Sequence, residues 1–258
     1  MNPYLTIAGT KIPVIGFGTW NILGKSCTES VRSAIELGYR HIDTAQMYNN
    51  EMNVGIGVKE SGVNREELFI TTKIASSNLH PSLIERSTLG SLKELDSGYI
   101  DLLLIHWPTP DMDLEKCLEA MLRLKEKGFV KHVGVSNFVP ELFQKALTVG
   151  PVLCNQLMFT PYHHEFENLK IAKAHNVIIT AYSPLGRGRL VNDAELSDIG
   201  AKYNKTASQV ALRWLIQLGN VSVIPKAANE RHRKENIDIF DFELQQEESD
   251  RIAALTHA

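Results

Sequence analysis

Eight short apolar runs, spread along the whole chain, constrain the fold more than any other feature of this sequence. They are Val14–Gly18, His41–Thr44, Leu68–Thr72, Asp101–Ile105, His132–Val135, Val152–Gln156, Val177–Ala181 and Val221–Ile224. Each has the length of a strand and is apolar nearly throughout, as strands buried on both faces are. Segments of helical length separate them, for example Glu29–Leu37, Leu83–Leu95, Leu114–Lys127 and Ala207–Leu218. In the third of these, Leu118, Met121, Leu122 and the aliphatic stem of Lys125 fall at i, i+3, i+4 and i+7, one face of a helix.

Strands alternating with helices call for a parallel sheet. Eight is the number that closes a (β/α)8 TIM barrel, whose usual size of about 250 residues matches the 258 residues here. A doubly wound open sheet is the alternative. Its dinucleotide-binding turn needs G-x-G-x-x-G after the first strand. The chain has "GFGTWNILG" there, with glycines at 16 and 18 and no third in register, so the barrel is preferred. An N-terminal hairpin is expected in "LTIAGTKIPVIG", turning at Ala8-Gly9-Thr10 and closing the barrel bottom. No Pro/Ser/Gly-rich tract or change of composition suggests a linker, so residues 1–258 read as one domain.

Composition narrows the class. With 43% hydrophobic and 22% charged residues the chain can build a large core, and its net charge of −3 comes without a charged block. No nucleic-acid footprint and no membrane patch are expected. Runs such as Ile100–Ile105 are too short to span a bilayer. "MNPYLTIAGTK" lacks the pattern of a secretory signal. Cys27, Cys117 and Cys154 are odd in number and far apart, matching neither a disulfide framework nor a zinc site. Buried reduced thiols in a cytoplasmic protein are expected.

In a barrel the working face is at the C-terminal ends of the strands, and four titratable residues collect there. Asp43 ends the second run, with Tyr48 in the loop beyond it; Lys73 ends the third in "LFITTK"; His106 ends the fourth in "DLLLIHWP". Singly, Asp43 is a helix cap, Tyr48 a half-buried aromatic, Lys73 a solvated cation and His106 a core imidazole. Together they suit carbonyl reduction. Lys73 would lower the pKa of Tyr48 from about 10, Asp43 would hold Lys73, and His106 would orient a carbonyl oxygen or share the proton. Tyr48 is then the general acid. No side chain supplies a hydride, so a nicotinamide cofactor is implied.

With these residues in view, the chain resembles the aldo-keto reductase superfamily almost end to end. The resemblance rests on "GFGTW", "GYRHIDTAQMYNNE", "TTK", "YIDLLLIHWP", "VGVSNF", Asn155-Gln156, "AYSPLG" and "IPKA". It is strongest for short prokaryotic members similar to 2,5-diketo-D-gluconate reductase and methylglyoxal reductase. The resemblance implies a catalytic tetrad of Asp43, Tyr48, Lys73 and His106. It implies Thr19 and Trp20 near the nicotinamide ribose, with Asp43 below them. Ser136, Asn137 and Gln156 would hold the carboxamide, and Tyr182 would stack on the ring. Ser183, Leu185 and Gly186 would follow the pyrophosphate, and Lys226, Asn229, His232 and Asn236 would surround the adenosine end. The expected function is reduction of small aldehydes, ketones or α-dicarbonyls.

Three departures shape further expectations. "IPKAANERHRKEN" has Ala227 and His232 where the family often has a hydroxyl and an arginine. NADPH is the expected cofactor, with Lys226, Arg231 and Arg233 near its phosphate, and the lost arginine leaves room for NADH. "TTKIASSN" has Ala75 in place of a frequent aromatic. Loops "WPTPDMDLE" and "SPLGRGRLVNDAE" are short, and the chain stops at "IAALTHA" where many relatives add a substrate-covering loop. An open mouth lined by Trp20, Met47, Tyr48, His106 and Trp107 is expected, with Phe138 or His163 as further walls. No metal is expected: His163-His164, the one histidine doublet, reads as a surface loop. A monomer is expected. The rival readings are a nucleotide-binding sensor of the same fold and a metal-dependent barrel hydrolase.

Overall fold

The structure is a computed structural model and describes residues 3–255, so the two ends of the expected domain, with the last residues of "IAALTHA", lie outside the described residues. Strands β1 (Tyr4–Ile7) and β2 (Thr10–Pro13) pair antiparallel. Ala8 and Gly9, between them, both take positive φ, a conformation that glycine tolerates at little cost.

Strand β3 (Phe17–Gly18) is followed by α1 (Gly24–Glu36), β4 (His41–Asp43) by α2 (Glu51–Glu60) and β5 (Phe69–Ile74) by α3 (Pro81–Glu94). Strand β6 (Ile100–Ile105) leads to α4 (Leu114–Glu126), β7 (Val130–Ser136) to α5 (Pro140–Val149) and β8 (Val152–Met158) to α6 (Phe166–Ala174). Two helices follow each of the last strands: α7 (Ala194–Ala201) and α8 (Ala207–Gln217) after β9 (Ile178–Tyr182), α9 (Glu230–Ile237) and α10 (Gln246–Ala253) after β10 (Val221–Ile224). Strands β3 to β10 lie in chain order, each parallel to the next. The segment before β3 closes the ring. Gly16 N donates to Val223 O at 2.8 Å, Val223 N to Val14 O at 2.9 Å, and Gly18 N to Pro225 O at 3.2 Å. A Cβ on Gly18 would stand 2.7 Å from the carbonyl of Ile224, so this close approach needs glycine. The fold is the (β/α)8 barrel with its N-terminal hairpin.

Burial follows the two-residue period of each strand. On β5, Ile70 and Ile74 face the helices in the main core, while Phe69 joins a second cluster inside the barrel. That inner cluster comprises Ile7 and Ile12 of the hairpin with Phe69, Leu102, Leu104, Leu153, Cys154 and Ile178. The hairpin therefore plugs the bottom with apolar side chains. Above this floor the interior turns polar: His41 Nε2 lies 3.0 Å from Thr71 Oγ1, and Thr180 Oγ1 lies 3.0 Å from Ser222 Oγ. Higher on the same faces come Asp43 and Lys73, and above β6 comes His106.

Several expected elements have shifted bounds; the strand expected over Val14–Gly18, for one, is Phe17–Gly18. The expected strand Leu68–Thr72 runs as Phe69–Ile74, so Lys73 sits within it and points into the barrel. The helix expected from Glu29 starts at Gly24; the exposed Lys25 and Ser26 in its first turn carry no apolar period to reveal it. Cys27, Cys117 and Cys154 are buried and free.

Candidate active site

The barrel's upper end gathers Asp43, Tyr48, Lys73 and His106 around one cavity. Strand β4 delivers Asp43 and β5 delivers Lys73, both interior-facing and almost fully buried. Lys73 Nζ donates to Asp43 Oδ1 at 2.5 Å and to the Thr44 carbonyl at 2.8 Å. Gln156 Nε2, from β8, donates to Asp43 Oδ2 at 2.8 Å. Both carboxylate oxygens are thus occupied, as a buried charge requires. Tyr48 ends a 3₁₀ turn, Gln46–Tyr48. Its hydroxyl lies 3.5 Å from Lys73 Nζ, and its ring meets His106 edge-on at 5.5 Å.

The electrostatics correct one expectation. Burial raises the Tyr48 phenol above its ordinary value, and the lowering by Lys73, the second influence, does not overcome it. The geometry explains why: the ammonium spends its short bonds on Asp43 and Thr44, and its contact with the phenol is long. Tyr48 is therefore protonated at neutral pH and holds a proton to give. Burial pushes Lys73 down, but Asp43, Tyr48 and their hydrogen bonds carry it above its ordinary value, so it is charged. Burial, reinforced by Lys73, holds His106 at about 4, so its imidazole is neutral. His106 Nδ1 is buried without a partner. An orphaned acceptor costs less than an orphaned N–H, which favours the tautomer with the proton on Nε2.

The cavity is lined by Gly18, Trp20, Asp43, Met47, Tyr48, His106, Trp107, Ser136, Asn137, Gln156, Tyr182, Ser183, Arg187, Ile224 and Lys226, and its volume is about 240 Å³. Its rim is open: Trp20, Met47 and Trp107 are 44%, 52% and 47% exposed. Asn137, at φ 63°, donates to the His106 carbonyl at 2.9 Å and accepts from Tyr182 Oη at 2.8 Å. Ser136 Oγ donates to the Gln156 carbonyl at 2.9 Å. A channel of about 600 Å³ continues from the cavity through Trp20, Ser183, Arg187 and Lys226 to the start of α9, where Asn229, His232 and Asn236 line it with Leu185.

Several expected residues lie elsewhere. Thr19 is fully buried and its Oγ1 donates to the Asp43 carbonyl at 2.9 Å, so it supports the site from below. Gly186 lines a side cavity that meets the main one at Ser183 and Arg187. Phe138 is wholly inside the core, because Asn155 ties its backbone to β8, and it forms no wall. His163 is exposed and lines none of these cavities. Arg233 is also no phosphate ligand. It is 5% exposed, and its guanidinium donates to the Ala227 and Ala228 carbonyls and to Ser33 Oγ. Arg231 points to Glu235 at 3.7 Å, outside the channel lining.

Sequence reasoning passed over Arg187, Asn21, Ser208 and Glu235, which line the channel. Glu235 had a usable signal, standing three residues after His232 on one helix, and its carboxylate meets His232 Nδ1 at 3.1 Å. Arg187 sits between two glycines and takes a left-handed φ of 57°, which carries its guanidinium over the Trp20 ring at 5.1 Å. Among the described residues no cluster of three or more His, Cys, Asp or Glu could hold a metal, and no helix is long and apolar enough to cross a membrane.

Comparison with known proteins gives one consistent picture. The model of the aldo/keto reductase family matches residues 14–257. Methylglyoxal reductase DkgB of Escherichia coli O157:H7 is 39% identical over 249 residues, covering 95% of this chain and 93% of that protein. Glyoxal reductase of Bacillus subtilis is 41% identical over 250 residues, covering 96% and 90%. A crystal structure provisionally described as a 2,5-diketo-D-gluconic acid reductase B superposes with a TM-score of 0.97 at 36% identity, covering 100% of this chain and 92% of that one.

Proposed function

The chain belongs to the aldo/keto reductase family of nicotinamide-dependent oxidoreductases, and from that membership we propose that it reduces small aldehydes and α-dicarbonyls to alcohols, with Tyr48 giving the proton. The observation that carries this reading is a half-buried phenol 3.5 Å from a fully buried ammonium and edge-on to His106, at the mouth of one cavity. The site fits a nicotinamide dinucleotide. The cavity beside Tyr48 and the channel reaching α9 share Trp20, Ser183, Arg187 and Lys226 as walls, and polar side chains line them at both ends.

In this reading Ser136, Asn137, Gln156 and Tyr182 hold the nicotinamide end. Ser183, Leu185 and Arg187 follow the phosphates, and Lys226, Asn229, His232 and Asn236 hold the adenosine end. Bound there, the cofactor supplies the hydride. The rest is done by the protein. Tyr48 Oη and His106 Nε2 bond the carbonyl oxygen and polarise it. As negative charge develops on that oxygen, the Tyr48 proton moves to it. The Lys73 ammonium, held by Asp43, stabilises the phenolate left behind. Trp20, Met47 and Trp107 supply apolar walls that suit small substrates and exclude little water.

NADPH is the proposed preference, since Lys226 lines the channel and makes no ion pair with a carboxylate among the described residues. Glu235 beside His232 opposes a further phosphate, so NADH use at reduced affinity belongs to the same proposal. Retention of all four side chains at one site, with Asp43, Tyr48 and His106 lining its cavity and Lys73 buried behind them, speaks against a pure sensor. The test is Tyr48→Phe assayed with methylglyoxal and NADPH. Turnover should fall by about 10²–10⁴, the usual worth of a general acid, with nucleotide affinity kept. Near-normal turnover would remove the assignment.

A further inference from the structure

We infer that Gln46 is the positioning residue that sets Tyr48 against Lys73 and the carbonyl. The inference rests on Tyr48 being the proton donor.

The turn bearing Tyr48 is not fixed by hydrophobic burial. None of the residues Gln46–Tyr48 is buried, and Met47 is 52% exposed. It stands between Ala45, which is extended, and Asn49, at a left-handed φ of 53°, so it is not an extension of a neighbouring helix. Something else must hold the phenol. The margin is narrow, because the Tyr48 Oη to Lys73 Nζ distance of 3.5 Å is already at the outer limit of a hydrogen bond.

Gln46 supplies the hold. Its Oε1 accepts from Ala75 N and from Asn78 Nδ2, both at 2.9 Å. Its Nε2 donates to the Ser87 carbonyl at 3.2 Å and to Ser91 Oγ at 3.1 Å. Two acceptor and two donor positions are all that an amide has, so the side chain is saturated. Its orientation is also unambiguous: Ala75 N–H can only donate and the Ser87 carbonyl can only accept. Ala75 and Asn78 lie just beyond β5, the strand that carries Lys73, and Ser87 and Ser91 lie on α3. The frame closes on the far side of Tyr48. Ser91 Oγ donates to Glu51 Oε2 at 3.3 Å, and Glu51 Oε1 accepts from Thr72 Oγ1 at 2.5 Å. Gln46 and Glu51 flank Tyr48, and the residues that they engage, Ala75 just beyond β5 and Thr72 within it, flank Lys73. The phenol and the ammonium are thereby held in one rigid frame.

A shift of about 1 Å at a reacting group can cost about 100-fold in rate. Gln46→Leu leaves an apolar side chain one bond shorter and removes all four bonds. With methylglyoxal and NADPH, its kcat should fall about 10- to 100-fold while KM and the nucleotide Kd, read by fluorescence titration, stay within about twofold. Asn78→Ala, which removes one of the four bonds, is a milder variant and should lower kcat about two- to fivefold. The decisive readout is the double variant. If Gln46 acts through the phenol, adding Gln46→Leu to Tyr48→Phe should change the small residual rate by less than about twofold. The inference is overturned if Gln46→Leu turns over normally while Tyr48→Phe does not. It is overturned equally if Gln46→Leu lowers the residual rate of Tyr48→Phe as much as it lowers the wild type. Normal turnover of Tyr48→Phe alone would instead strike the proton-donor reading and remove the group that Gln46 is said to position.

Discussion

Removing the charge of Asp43 tests the electrostatic centre of the site. In the wild type Lys73 Nζ is fully buried and its charge is sustained chiefly by Asp43, 2.5 Å away. Asp43→Asn keeps the shape and leaves an ammonium in the interior without a counter-charge. Breaking a buried pair from one side costs about 3–5 kcal/mol. The sign with pH is distinctive. In the wild type the Lys73 pKa lies above its unfolded value of about 10.4, so the stability it contributes is present below that pH and is lost only at still higher pH. In Asp43→Asn burial is no longer offset, and the folded pKa drops below the unfolded one. The deficit is then full at low pH and shrinks as pH rises toward about 10, because the unfolded state binds more protons than the folded one. Urea unfolding followed by tryptophan fluorescence at pH 6 and pH 9 measures both. The expected result is a loss of about 3–5 kcal/mol at pH 6 and a smaller one at pH 9. A loss under about 1 kcal/mol at pH 6, the size typical of a solvated pair, or a gap that widens with pH would refute the reasoning.

The remaining predictions concern the cofactor end, the buried imidazole and the phenol. Lys226→Met should weaken NADPH binding tenfold or more, about the worth of one charge-assisted bond, and NADH binding far less; equal weakening in calorimetric titrations would mean that the 2′-phosphate lies elsewhere. His41 is fully buried and held at about 4, mainly by burial. Its unfolded form therefore takes up protons first as pH falls below about 6.5, and folding stability drops by on the order of 3 kcal/mol toward pH 4. His106 and His132 are likewise held at about 4 by burial, so His41→Gln should lessen the slope in unfolding experiments without abolishing it, and an unchanged slope would assign it to other groups. Tyr48 should show no phenolate below the ordinary tyrosine value of about 10 in the nucleotide-free enzyme, measured as the ultraviolet difference between wild type and Tyr48→Phe. An earlier ionisation would mean that Lys73, not burial, sets its pKa.

Much of this molecule was legible because strands and helices announce themselves by period. The barrel order followed from runs that are apolar on both faces, and the tetrad from the rule that chemistry sits where barrel strands end. Periodicity fails where a helix is polar all round. Helix α9, "ERHRKENI", offers no apolar stripe, so nothing in it shows that Arg233 turns inward to brace the Ala227–Ala228 carbonyls while His232 faces the channel. Phe138 failed for a related reason: an aromatic just past a strand fits a rim or a core equally well, and the choice was made by Asn155, seventeen positions along the chain. The pKa of Tyr48 was unreadable because it is a difference of large opposing influences. Sequence places an ammonium near the phenol, but the depth of burial and the direction of the ammonium's bonds exist only in three dimensions.

That difference has a mechanistic meaning. A buried Lys–Asp pair rarely adds stability over well-packed apolar residues, so the Lys73–Asp43 pair is better understood by what it does when charge appears beside it. Before reaction the phenol is neutral, and burial favours keeping it so. Once the proton leaves for the carbonyl oxygen, the same low-dielectric surroundings strengthen the attraction between phenolate and ammonium. The influence of Lys73 on Tyr48 is thus weakest in the resting state and grows as the transfer proceeds. A group whose stabilising effect is felt mainly at the transition state accelerates the reaction without tightening substrate binding. This is also why the position of the phenol matters so much. Starting from 3.5 Å, the ammonium has a short distance over which to gain, and a turn free to drift would lose that gain before turnover began.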